Sequence, residues 1–146
     1  MCLEIDDART EKIRKKLEKK GSLVMYKVVN LRNNQLLPMY FASYGFRYKS
    51  GWIYSNRTSN KLTDIEIRWE EVNYGIHVFY SKRQAKRYLR LRKKYYDNEN
   101  HDEVSLIVIP VTVSKNDFIA AGNLGDVVFT KVFLQKEDYY AATMPA

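Results

Sequence analysis

The chain has 146 residues, 45% of them hydrophobic and 29% charged, a balance typical of one soluble globular domain. Its formal net charge of +8 favours anionic partners, although basic charge alone does not say of which kind. A single cysteine excludes an internal disulfide framework and a cysteine-based zinc site, and no apolar run approaches the roughly 20 residues that span a bilayer.

These properties predict a cytoplasmic protein with no membrane partner. The acidic N-terminus, with Glu4, Asp6 and Asp7, is not typical of a secretory signal. We expect a single domain over 1–146, made of an N-terminal helical segment (1–20), an α+β core (22–135) and a tail (136–146) that holds a short turn and then frays. In the first segment, Asp6 or Asp7 caps the helix, Ile13 and Leu17 pack inward, and Gly21 ends it.

The first part of the core is predicted as strands. Leu23–Val29 alternates, with Leu23, Met25, Lys27 and Val29 on one face. A turn at Asn33-Asn34 leads into a return strand at Gln35–Phe41, which Pro38 limits to an edge or a bulge. Leu62–Trp69 alternates again and is read as another strand.

Next come a strand at Gly75–Tyr80 and the strongest helix of the chain. Ser81 and Gln84 form a Ser-x-x-Gln capping box at its start. Between Lys82 and Lys94 lie eight of the 25 Lys and Arg residues, with no Asp or Glu. The inward stripe is predicted to be Ala85, Tyr88, Leu89, Arg92 and Tyr96. The outward side is predicted to carry Lys82, Arg83, Lys86, Arg87, Arg90, Lys93 and Lys94.

Val104–Val113 is predicted as a buried strand, 118–126 as a turn-rich connection, and Val127–Leu134 as the last strand. Because strands come in runs rather than alternating with helices, the fold class is α+β. We expect a mostly antiparallel sheet of about six strands, with the strongly basic helix packed on it and the N-terminal helix beside it.

The basic helix is the main functional signal. Like charges three and four residues apart repel, so their accumulation without interleaved acids favours an anionic partner. Lys82, Arg83 and Lys86 also fall on the first turns, where the helix dipole attracts anions. The alternative is a solubilising face that the acidic loop Asp97–Glu103 neutralises.

A second group of residues combines aromatic and basic side chains: Arg47, Lys49, Trp52, Tyr54 and Arg57. Aromatic rings stack on bases while cations hold phosphate in many single-strand and nucleotide sites. The alternative is an ordinary hairpin with aromatic cross-strand pairs.

His77 is a candidate general base or ligand contact, although its position between Ile76 and Val78 is typical of a structural histidine. With two His and one Cys far apart in sequence, we expect no metal site and no cofactor. No Gly-rich phosphate loop and no nucleophile elbow is present, so no catalytic residue is assigned.

Five short boxes carry a resemblance: Met1–Asp6 (MCLEID), Met25–Val29, Gly51–Arg57 (GWIYSNR), Gly75–Phe79 (GIHVF) and Val128–Leu134 (VFTKVFL). In these boxes the chain resembles a family of short phage-encoded proteins with no settled activity. The resemblance implies a viral accessory protein that acts in the host cytoplasm. Small phage proteins that sequester nucleotide immune signals offer an analogy.

The favoured interpretation is a non-enzymatic binding module that captures an anionic ligand, either a nucleotide immune signal or nucleic acid, to counteract host defence. The candidate ligand-binding residues are Arg47, Trp52, Tyr54, Arg57, His77, Lys82, Arg83, Arg87 and Arg90. One alternative is an inhibitor that docks its basic helix on an acidic host protein, and homo-oligomerisation stays open.

The other alternative is an enzyme of the ADP-ribosyl-transfer type. Tyr26-Lys27-Val28 and Gly75-Ile76-His77 resemble strands of such folds. Glu137 is then the only late candidate for the catalytic glutamate.

Overall fold

The structure is a computed structural model, and it describes residues 3–39, 47–98 and 105–144, without the side chains of 96–98. Within these ranges the chain is an α+β protein with four α-helices and ten strands, and the sheets are antiparallel throughout. The predicted fold class, the sheet type and both predicted helices are confirmed. The strands are more numerous than the prediction of about six.

The helices are α1 (Asp7–Lys20), α2 (Asp64–Trp69), α3 (Lys82–Asn98) and α4 (Lys136–Thr143). The strands are β1 (Leu3–Glu4), β2 (Ser22–Arg32), β3 (Gln35–Leu37), β4 (Gly51–Tyr54), β5 (Glu71–Val72), β6 (Ile76–Phe79), β7 (Leu106–Ser114), β8 (Phe118–Ala121), β9 (Asp126–Phe129) and β10 (Lys131–Leu134).

The long strands β2 and β7 form the centre of the main sheet, with nine register pairs between them. β10 and then β4 continue the sheet from β7. On the other edge of β2, two separate sets of strands attach: β6, β9 and β8 through the pair Tyr26–Phe79, and β3 through Asn30–Arg32. The sheet is therefore split along this edge of β2. β1 and β5 form a separate two-stranded sheet.

The main sheet curls, because β9 and β10 lie on opposite flanks of the β2–β7 pair and yet are joined through one residue, Thr130. The Thr130 N–H donates to the Asp117 carbonyl at 2.8 Å, and its hydroxyl contacts the Asp117 carboxylate at 3.2 Å. The Ser55 N–H donates to the Thr130 carbonyl at 3.1 Å. The prediction of one strand over Val127–Leu134 is therefore wrong, since these contacts divide it.

The main core lies inside this curl and is closed by α1. Ile13 and Leu17 of α1 are buried there, as predicted, and the Asp6 side chain caps the helix by accepting from the Arg9 N–H. Thr10 joins the helix to β8: its hydroxyl donates to the Ala121 carbonyl and accepts from the Ala121 N–H.

The prediction of a strand over Leu62–Trp69 is wrong, because α2 occupies this region. A capping box starts it: the Thr63 hydroxyl accepts from the Glu66 N–H, and the Glu66 carboxylate accepts from the Thr63 N–H. The alternating apolar residues Ile65 and Ile67 are exposed rather than paired in a sheet.

Three further segments differ from the predictions. Residues 118–126 were predicted as a turn-rich connection, but Phe118–Ala121 forms β8, which pairs with β9. The tail forms α4, which packs through Tyr139 and Ala142 on the main core, instead of a short turn. The return strand ends at Leu37, one residue before Pro38, and its predicted end at Phe41 lies outside the described residues.

Candidate functional site

The start of α3 is fixed by a capping box and a close glycine contact. The Gln84 N–H donates to the Ser81 hydroxyl at 3.2 Å, and the Ser81 N–H donates to the Gln84 side-chain oxygen at 3.1 Å. Gly125 has φ +84, and a Cβ built there would lie 2.2 Å from the Gln84 side chain. A larger residue at this position would therefore displace the Gln84 side chain from its place in the capping box.

The inward face of α3 follows the prediction. Ala85 is buried against Val28 and Phe79, and Tyr88 and Leu89 pack against the same cluster. The Tyr88 and Phe79 rings lie 5.0 Å apart. Arg92 Nε donates to the Tyr88 hydroxyl at 2.8 Å, so this arginine is held along the edge of the stripe. The Tyr96 side chain lies outside the described residues.

The outward face of α3, called here the cationic face, consists of exposed lysines and arginines. Within the described residues, none of them forms an ion pair with a carboxylate. Residues 99–103 of the acidic loop, and the side chains of its first two residues, lie outside the described part of the chain. The members of the face are Lys82, Arg83, Lys86, Arg87, Arg90, Lys93 and Lys94.

A cluster on β4 and β10, called here the aromatic platform, contains Trp52, Tyr54, Phe133 and Lys131. Trp52 is 45% exposed and Tyr54 61%. The Trp52 and Phe133 rings meet edge to face at 5.2 Å, and Lys131 Nζ lies 4.3 Å from the centre of the Trp52 ring. The Lys131 ammonium thus lies over the Trp52 ring in a cation–π contact, and the exposed parts of the Trp52 and Tyr54 rings face solvent.

The platform and α3 lie on the same face of the main sheet. Antiparallel partners share a face, and the pairing runs from Trp52 to Phe133, from Phe133 to Thr112, and from Thr112 to Val24. Val24 and Val28 are four residues apart on β2 and share that face, because side chains alternate along a strand. Val28 packs beneath α3.

Arg57 does not point its guanidinium at an open surface. Its Nη2 donates to the Glu66 carboxylate at 2.8 Å and to the Lys61 carbonyl at 2.7 Å, and its Nε donates to the Ser59 carbonyl at 2.9 Å. The two side chains of the ion pair are only 10% and 11% exposed. Arg57 therefore holds the loop in front of α2, and its donors are already used.

The electrostatics of Glu66 agree with this structural role. Burial alone would raise the pKa of the Glu66 carboxyl, but the hydrogen bonds from Arg57 and from the Thr63 N–H, together with the attraction of Arg57, outweigh it and lower that pKa. Arg47 and Lys49 are exposed on either side of the buried Tyr48.

His77 lies in β6 with both ring nitrogens shielded from solvent and without a well-formed hydrogen bond among the described residues, although the Asn73 backbone lies near. Burial, and then the nearby charge of Lys27, lower its pKa to about 4. The ring is therefore neutral at physiological pH and supplies no positive charge for an anion.

A small pocket of about 150 Å³ opens at the split in the sheet, between β6 and the segment that follows β3. His77 and Lys27 both line it, and Lys27 Nζ donates to the His77 carbonyl at 3.2 Å. Lys27 was not among the predicted site residues. Its signal in the sequence was a charged residue on an otherwise apolar strand face, beside Met25 and Val29.

Residues from both segments that suggested the ADP-ribosyl-transfer hypothesis line this pocket. Lys27 and Val28 come from the first segment, and Gly75, Ile76 and His77 come from the second. Glu137 does not line the pocket and is exposed in the first turn of α4. No carboxylate of the described residues lines it.

The described residues hold neither a candidate metal site nor a candidate membrane span. No group of three or more His, Cys, Asp or Glu side chains in these ranges is placed to hold a metal ion. No helix among them is long and apolar enough to cross a membrane.

No protein-family model, no curated protein and no solved structure matches this chain.

Proposed function

We propose that this chain is a non-enzymatic module that binds nucleic acid along α3. The observation that carries the proposal is the cationic face: seven exposed lysines and arginines on one helix, with no carboxylate paired to any of them in the described residues. Unpaired like charges repel one another, and a bound polyanion removes that repulsion.

The spread of the charges favours a polymer over a single nucleotide. Lys82 and Lys94 are twelve residues apart, which corresponds to roughly 18 Å along a helix. One nucleotide places its phosphates against one or two turns, whereas a nucleic-acid backbone presents a phosphate to each successive turn. A nucleotide immune signal is therefore the second candidate, held at the first turns by Lys82, Arg83 and Lys86.

The aromatic platform favours a single strand. Trp52 and Tyr54 present exposed rings on the same sheet face as α3, and bases stack on such rings only when they are unpaired. Arg47 is exposed and is free to add a phosphate contact, while Arg57 contributes only by holding its loop. In an infected bacterium, this capture would serve an accessory protein that counteracts host defence.

The test compares two variants that each lose three positive charges. Arg83→Gln/Arg87→Gln/Arg90→Gln removes charge from the cationic face, and Lys12→Gln/Lys15→Gln/Lys19→Gln removes it from the exposed side of α1. We measure binding of an oligodeoxythymidine at several salt concentrations. The α3 variant should make the negative slope of log K against log salt less steep by about 2, at about 0.7 for each of the three lost phosphate contacts. The α1 variant should leave the slope unchanged.

Equal slopes for the wild type and the α3 variant would refute the proposal. Docking on an acidic host protein predicts a different outcome. A host protein would then co-purify with the chain after nuclease treatment, and the α3 variant would release it, while the oligonucleotide would bind neither form.

A further inference from the structure

Lys27 is a buried lysine that has no acidic partner among the described residues. Its side chain is 9% exposed, its amine donates to the His77 carbonyl, and the Tyr48 ring centre lies 5.6 Å away. Among the described residues, no carboxylate lies within ion-pair distance of this amine. Residues 40–46, which connect Met39 to Arg47, contain no acid in their sequence. Lysine is almost never this buried unless an anion pairs with it.

The pocket beside Lys27 has room for such an anion. Its volume is about 150 Å³, and its walls are mostly apolar, with Val28, Met39, Phe79 and Tyr88 among them. Apolar cavities of about 150 Å³ bind a single benzene ring. The pocket lies beside the junction of β2 and β6, whose register is limited to the pair Tyr26–Phe79.

The other titratable groups around the pocket add no negative charge. From β6, His77 is neutral, because burial and the charge of Lys27 lower its pKa to about 4. From the segment before β4, burial raises the pKa of the Tyr48 phenol to about 12, so it is also neutral. From α3, the Tyr88 hydroxyl accepts a hydrogen bond from the Arg92 guanidinium. From the segment after β3, Pro38 and Met39 contribute no titratable group.

We propose that this pocket binds a small aromatic monocarboxylate, with its ring between the apolar walls and its carboxylate paired with the Lys27 amine. One ring fills the volume, one negative charge matches Lys27, the lysine that lines the pocket, and the His77 carbonyl holds the amine there. This site is separate from the cationic face of α3, and it does not depend on nucleic-acid binding.

Binding of the carboxylate should weaken at alkaline pH, because the Lys27 amine then loses its positive charge. Burial lowers the pKa of free Lys27 to about 8, and the carboxylate pairs only with the protonated amine. Affinity is therefore constant near neutral pH, where the amine and the carboxylate are both charged, and falls as the pH rises through about 8. The limiting loss is about tenfold per pH unit until the raised pKa of the bound form is reached.

The experiment uses benzoate and its neutral counterpart benzyl alcohol as probes, followed by the amide NMR signals of β2 and β6 in the full chain. Wild type should bind benzoate at least about tenfold more tightly than benzyl alcohol. Lys27→Met should remove that preference, since it keeps the length and apolar stem but no charge. Lys131→Met removes a half-buried lysine that lies over Trp52, away from this pocket, and should change neither affinity.

Lys27→Met is expected to fold, because it removes a buried charge, and Lys27→Gln provides a second variant that keeps a donor for the His77 carbonyl. Benzoate binding of equal strength in the wild type and both variants would overturn the proposal. Equal binding of the two probes to wild type, or no binding of benzoate, would also overturn it. The Arg83→Gln/Arg87→Gln/Arg90→Gln variant should bind benzoate as wild type does, so failure of this proposal is separate from failure of nucleic-acid binding.

Discussion

At the scale of single residues, Arg57 illustrates how the hydrogen-bond donors of a candidate ligand-binding arginine can be engaged by intramolecular partners. Its guanidinium makes hydrogen bonds to the Glu66 carboxylate and to the Ser59 and Lys61 carbonyls. A buried ion pair contributes little when both partners are compared with apolar residues, but removing one partner leaves the other charge buried and unpaired.

We therefore expect Arg57→Met to lower the free energy of unfolding by about 3 kcal/mol at neutral pH. Arg14→Met is the matched control, because Arg14 and Glu11 form an exposed ion pair whose loss should cost less than about 1 kcal/mol. The measurement is urea unfolding. A loss of the same size in both variants would contradict the structural role of Arg57.

The lowered pKa of the Glu66 carboxyl determines how the destabilisation by Arg57→Met depends on pH. A carboxyl whose folded pKa is lowered stabilises the fold above its unfolded pKa, and that stability is lost as the pH falls through the folded pKa. The difference between wild type and Arg57→Met should therefore shrink below the ordinary Glu value of 4.5. A difference that is constant down to the acid unfolding of the protein would contradict this.

At the scale of elements, α3 depends on a glycine that is distant in sequence. A Cβ at Gly125 would meet the Gln84 side chain, and the residue also has positive φ. Gly21 has a similar φ of +80 but no atom within 4 Å of a built Cβ. Substitution of Gly21 therefore measures the cost of the backbone strain without the cost of a steric clash.

We expect Gly125→Ala to lower the free energy of unfolding by at least about 1 kcal/mol more than Gly21→Ala, since it also disrupts the cap. In a Gln84→Ala background the extra loss should disappear, because the clashing side chain is gone. Thermal unfolding of the four variants measures this. An extra loss that persists without Gln84 would show that the cap is not its cause.

The elements that could be predicted from the sequence are those with local signals. The capping box of α3, its apolar stripe and its charges all lie within seventeen residues. The alternation of Ile65, Ile67 and Trp69 was equally local but misleading, because the capping box at Thr63 and the ion pair with Arg57 stabilise a helix instead. Sequence spacing could not show that Arg57 would be engaged.

The burial of Lys27 and the strand break at Thr130 could not be predicted from local sequence patterns, because both depend on how distant strands are arranged. Whether Lys27 is exposed depends on which part of the β2 edge is covered, and that is decided by β6 and β3. Thr130 ends a strand because Asp117 and Ser55 contact it after the flanks have curled together. Both facts are properties of the assembled sheet.

At the scale of the whole molecule, the curl makes the two flanks of the main sheet interdependent. β9 and β10 share the core and the Thr130 contacts, so neither flank keeps its packing when the other opens. We expect amides of β9 and β10 to exchange hydrogen with the same free energy of opening in native-state exchange under mild denaturant. Asp117→Ala should lower the free energy of opening of the β9 amides and of the β10 amides by equal amounts.

Amides of α2 serve as the reference in that experiment, since this short helix exposes three large apolar side chains and should open at lower free energy. Exchange of β10 at a lower free energy than β9, or the reverse, would contradict the coupling of the flanks.

The junction at Thr130 also limits how the gene for this chain can vary. One inserted codon between Phe129 and Lys131 would reverse the inside and outside positions of every residue in one of the two strands. Recombination at that point would divide a core that both halves need. The exposed turn at Asn33-Asn34, by contrast, joins two neighbouring strands at the surface and is where added sequence would be tolerated.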